Sequence, residues 1–212
     1  MNRWHLLFLF LGAMALLSGF DFARNLDLKS LDSLHLPHRP HPDIVILAID
    51  NASLTAIGRW PWDRKAHAEI IEKLKKYHPR AVAIDINFSE PQNLESDLAL
   101  KNALNSVSFP VVLPTQTLYF NNAPQKVLGP LKYFQESPNV LLGNVNVDPD
   151  NDGFNRNFPN RESFSFVIAR SLNSALPPDG NYAVDFVGSA GSFPTYSASD
   201  ILQDNFSEEK LN

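Results

Sequence analysis

Residues 43–50 read Asp43-Ile44-Val45-Ile46-Leu47-Ala48-Ile49-Asp50. The run is apolar and rich in β-branched side chains, shows no polar alternation, and closes with an acid. That pattern reads as a strand buried on both faces of a sheet. A second run, Ala81-Val82-Ala83-Ile84, closes with an acid as well, Asp85. A turn with Asn51, Ser53 and Gly58 follows Asp50, and helix signals then lead to the second run. Asp63 has the character of an N-cap, because its carboxylate can accept from the free N–H groups of a first turn. Ala66, Ile70, Ile71 and Leu74 then supply an apolar face, with Lys and Glu opposite. This helix stops before Pro79. Strand, helix and strand in this order predict an α/β fold, with a mostly parallel sheet and helices on both faces.

The remaining chain repeats the alternation more weakly. A helix is expected over 95–104, anchored by Leu98, Leu100 and Leu104. A strand is expected at Phe109–Leu113, another at 140–147 and another at 182–187. Residues 163–172 read as a helix, and a last helix or turn starts at Ala198. Residues 114–138 hold four prolines and read as irregular.

Composition narrows the function. The chain has 212 residues, a net charge of −5 and no cysteine. Nucleic-acid binding is excluded, because no basic cluster is long enough to track phosphates. Disulfides, cysteine-ligated zinc and thiol catalysis are excluded as well. No cofactor motif is present.

Near the N-terminus, Leu6 to Leu17 is apolar and flanked by Trp4 and the Phe20/Phe22 pair. It is shorter than the ~20 residues of a typical membrane helix. No small-x-small cleavage site follows it, so residues 1–20 read as an uncleaved transmembrane anchor. A cleaved signal segment and a buried core helix are the alternatives. Arg3 before the run and Asp21 after it keep the N-terminus in the cytoplasm. The rest of the chain then lies on the periplasmic side of the cell inner membrane. Residues 21–42 form a linker rich in Pro and His, and 43–212 form the folded domain. His35, His38 and His41 share one face of a polyproline II segment. They stand about 9 Å apart at ~3.1 Å per residue, too far for one zinc ion.

Ligands of open α/β sheets sit at the carboxyl ends of the strands. Asp50, Ser53, Trp60, Trp62, Arg64, Asp85 and Glu90 all fall at that end and form the candidate ligand site. Trp60 and Trp62, held by Pro61, either wall a flat ligand or plug the loop onto the core. Trp62 is placed to pack against His67 as a hydrophobic staple. Asp50, Asp85 and Glu90 can converge on a divalent or organic cation, or Arg64 can neutralise one of them in a bidentate pair. Ser53, His67 and Asp85 lack the glycine-flanked elbow of a nucleophilic serine. Asp148, Asp150 and Asp152 with Gly153 have the first half of a calcium loop, but position 12 is Pro159. An acidic turn with Gly153 at positive φ is the simpler expectation.

The segment from Ala48 to Pro91 resembles the second class of CHASE domains, extracytoplasmic sensory modules of bacterial cyclases and kinases. The similarity is carried by Asp50, Ser53, Gly58-Arg59-Trp60-Pro61-Trp62, Arg64, His67, and Asp85 with Phe88-Ser89-Glu90. Further matches are Asp97-Leu98, Asp150–Gly153 with Arg156, and FVGSAGSFPTYSASDIL from Phe186. The resemblance spans roughly residues 43–202. It implies a signal-sensing input domain, not an enzyme, for an unidentified small-molecule or protein signal. It also implies an output kinase or cyclase whose motifs are absent from these 212 residues. The family's last strand and membrane helices are expected beyond them. A homodimer is compatible with this reading. Two alternatives stay open: an envelope metal-assisted hydrolase using Asp50 and Asp85, and a non-sensing protein-interaction module.

Overall fold

A computed structural model describes residues 10, 12–14, 38–121, 123–147, 149–150, 153–158, 162–172, 182–184 and 186–206. Strand β1 is Ile46–Ala48. Helix α1, Asn51–Ile57, follows at once, with Asp50 as its N-cap accepting from Ser53 N. Helix α2 is Arg64–Leu74, capped by Asp63, whose side chain accepts from Lys65 N. Strand β2 is Val82–Ala83 and helix α3 is Leu94–Ser106, capped by Asn93. Strands β3, Val111–Phe120, and β4, Ala123–Leu128, form a hairpin. A short helix α4, Lys132–Gln135, leads into β5, Val140–Asn144. Then come β6, Asn157–Phe158, α5, Phe164–Leu172, and β7, Tyr182–Ala183. The described chain closes with β8, Thr195–Ser197, and α6, Ala198–Leu202.

The α/β class holds, but the expected mostly parallel sheet does not. The described strands fall into three sheets. In the largest, β3 pairs in parallel with β2 and β5, and antiparallel with β4. β1 pairs only with β8, in parallel, and β6 pairs antiparallel with β7.

Helices do cover both faces of β3. Val111 and Leu113 join Ile71 of α2, Leu100 and Leu104 of α3, Phe88 and Phe134 in one buried cluster. Their alternation follows from the two-residue period of a strand. On the opposite face Gly143 of β5, paired with Pro114, lies against Phe164 at the start of α5.

Several local expectations are corrected. The 44–49 run is not buried on both faces. Ile44, Ile46 and Ile49 are 50%, 44% and 36% exposed, because β1 has one neighbouring strand among the described residues. The turn expected after Asp50 is helix α1. Residues 114–138 are largely ordered as the end of β3, β4 and α4; their prolines excluded a long helix but not an edge hairpin. Leu98 is exposed, and Asp97 beside it faces the core instead.

Of the expected anchor, only residues 10 and 12–14 are described, and they are helical and exposed. No helix among the described residues is long and apolar enough to cross a membrane. Most of the 21–42 linker lies outside the described residues, as do Asp148 and Asp152. Asp150 pairs with Arg156 at 3.1 Å, and Gly153 has φ of 86°. Gly153 thus takes the expected positive φ, and Asp150 is already neutralised.

Candidate functional site

The seven candidate residues fall into three separate places. The first is an aromatic cap over a buried arginine. The Trp60–Pro61 peptide is cis. Trp62 is 4% exposed, its indole N–H donating to the Gly58 carbonyl at 2.9 Å. Its ring centre lies 5.8 Å from His67, four residues into α2, as a hydrophobic staple requires. Trp60 stands edge-on to Trp62 at 5.6 Å and is 40% exposed. Trp62 is therefore the plug, and Trp60 is its lid toward solvent.

Beneath the cap, the buried stripe of α2 runs Arg64, His67, Ala68 and Ile71. Helical spacing puts these four on one side. The arginine is bonded on both sides of its guanidinium, and the histidine is held by ring packing. The Arg64 guanidinium is ion-paired with Asp97 of α3 and also donates to the Glu90 main-chain carbonyl. Its carbon lies 5.4 Å from the Phe134 ring centre and 5.6 Å from that of Phe88. Tyr133 donates its hydroxyl to Asp97 at 2.8 Å, and the Gln92 side chain accepts from Arg64 N at 3.0 Å. Burial pushes the Asp97 carboxyl up, but the Tyr133 and Arg64 hydrogen bonds outweigh it and hold it below the usual range. The same burial, with the Asp97 charge, raises the Tyr133 phenol. His67 is pushed down to about 4, mainly by burial and then by the Arg64 charge. It is a neutral ring packed among Trp60, Trp62 and Phe88.

Sequence reasoning expected Arg64 to neutralise Asp50, Asp85 or Glu90. The structure pairs it with Asp97, and Glu90 contributes its carbonyl while its side chain is exposed. Asp97, Gln92, Tyr133 and Phe134 were not among the candidates. A signal for Asp97 existed: it shares the spacing of Leu100 and Leu104 on α3.

The second place is the start of α1. Asp50 caps the helix and also accepts from the Ser197 hydroxyl at 2.5 Å. These bonds, Ser197 first and the Ser53 amide next, hold its carboxyl below the usual range. The Ser53 hydroxyl is fully buried, donating to the Ala48 carbonyl at 3.3 Å and accepting from Ser199 N at 3.1 Å. His67 is packed among Trp60, Trp62 and Phe88 instead of beside it, so the serine–histidine–aspartate arrangement is not formed. Asp50 and Ser53 thus tie α1 to β8 and α6.

The third place is a crevice of about 240 Å³ lined by Asp85, Asn87, Pro114, Thr115, Gln116 and Val145. It lies just past the carboxyl end of β2, over the middle of β3, where β5 has ended. The three acids therefore do not share partners: Asp50 is bonded to serines, Glu90 acts through its main chain, and Asp85 sits in the crevice. Among the described residues no group of three His, Asp or Glu side chains is placed to hold a metal ion.

A family model described as the CHASE2 domain matches residues 6–212. No curated protein and no solved structure matches the chain.

Proposed function

The chain belongs to the CHASE2 domain family of sensory domains, and from that premise we propose that it is the extracytoplasmic input domain of a bacterial membrane receptor. It is held at the inner membrane by the N-terminal apolar segment, with the folded part in the periplasm. It binds an unidentified signal and passes the change to a cytoplasmic kinase or cyclase. The family match over nearly the whole chain carries this reading.

The distribution of polar groups supports it. Arg64, Asp97 and Tyr133 are committed to one another in the core, so they hold the fold. Asp85, just past the end of β2, and Trp60, on the aromatic cap, are open to solvent and available to a ligand. A ligand there shifts the domain only if it binds two arrangements with different affinity. The hydrolase alternative loses its main support, because Asp50 and Asp85 occupy different places.

Reporter fusions after residue 212 test the placement. Alkaline phosphatase fused there is expected to be active, and a cytoplasm-dependent fluorescent protein dark. The reverse pattern would sink the proposal.

A further inference from the structure

The Asp85 crevice differs from the other two places in one respect: its acid is unspent. Asp85 has no ion pair or hydrogen bond among the described residues. Asn87 uses only its side-chain carbonyl, which accepts from Ser89 N at 2.9 Å. Thr115 and Gln116 of β3 line the same space. Pro114 and Val145 add apolar wall. The frame is stiff. The Val145 amide donates to the Thr115 carbonyl at 2.8 Å. Just beyond, the Asn146 side chain accepts from Thr117 N at 2.6 Å and donates to Thr117 O at 2.8 Å.

We propose that this crevice binds a small organic cation, a primary ammonium carrying one or two hydrogen-bonding groups. The inference rests on the sensory reading above and names the chemistry of its signal. Among the described residues Asp85 is the one charged group lining the space, so it selects positive charge and rejects anions. Asn87 and Gln116 carry amides, which donate and accept and so suit a hydroxyl or carbonyl on the same ligand. The volume lies under the ~300–1,000 Å³ of drug-sized sites, so the ligand is smaller than those. A hard metal ion fits worse, because Ca²⁺ takes six to eight oxygens and usually several carboxylates.

The test uses the 212-residue chain in nanodiscs, with ethanolamine as probe and glycolate, ethylene glycol and Ca²⁺ as comparisons. Saturable ethanolamine binding is expected, with amide shifts at Asp85, Asn87 and Gln116. Asp85→Asn is expected to weaken it about fivefold, the upper range for an ion pair in an open site. Gln116→Ala is expected to weaken it less. Circular dichroism establishes that each variant is folded. Failure of ethanolamine to saturate, equal affinity in folded Asp85→Asn, preference for glycolate, or binding of Ca²⁺ alone would each overturn the assignment. These outcomes leave the placement outside the cytoplasm to the fusion experiment, so the two proposals fail separately.

Discussion

Arg64 and Asp97 lie on different helices and form an ion pair whose side chains are 8% and 7% exposed. The pair joins the first turn of α2 to the first turn of α3, and the Glu90 carbonyl and Tyr133 hydroxyl complete its bonding. Removing one partner leaves a buried charge. Arg64→Ala or Asp97→Asn is therefore expected to cost about 3–5 kcal/mol. A double replacement by Met and Leu is expected to cost less than either single change, as urea denaturation would register. The Asp97 contribution is present above its unfolded value near 3.8 and is lost as pH falls through its lowered folded value.

His67 acts in a different window. Its folded value of about 4 lies below the ordinary 6.5. Below pH 6.5 the unfolded chain takes up a proton that the folded chain refuses, so stability falls with pH until about 4. The full loss is about 3 kcal/mol. His67→Leu is expected to flatten that slope in denaturation curves between pH 6.5 and 4, and an unchanged slope would refute the assignment.

The two tryptophans separate by burial. Trp62→Ala empties a core site and is expected to destabilise by about 3–5 kcal/mol. Trp60→Ala removes a half-exposed ring and about 1 kcal/mol of edge-on aromatic contact. Equal midpoints for the two variants in guanidinium would contradict this division.

Gly143 leaves no room for a side chain. A Cβ there would stand 2.6 Å from Phe164 Cα. Gly143→Ala must push α5 off the sheet and is expected to cost about 1–3 kcal/mol. A melting temperature equal to that of the parent chain would show that α5 yields freely.

Much of this structure was legible beforehand, and the failures have physical causes. The Asp63 cap, the helix behind it and the Trp62–His67 staple are local, so spacing alone exposes them. Helix α3 was found for the same reason. Arg64 was correctly expected to pair with an acid, but its partner lies across a helix–helix contact. Proximity to strand ends pointed to Asp85 and missed Asp97. The β3–β4 hairpin was missed because its prolines outweighed a strand signal: β-branched and aromatic residues from Thr115 to Phe120, then Asn121-Asn122. Asn121 takes φ of 50°, the backbone that a tight two-residue turn demands. Helix α1 was missed because Asp50, Asn51 and Ser53 suit a turn as well as a cap.

The one-sided pairing of β1 bears on handling. Among the described residues its outer edge has no partner strand, and Ile46 on it is exposed, which is the chemistry on which foreign strands nucleate. Colloidal behaviour, more than unfolding, then sets how concentrated a solution of this domain can become. A gatekeeping charge such as Ile46→Lys would raise that ceiling without touching the Arg64 hub or the Asp85 crevice.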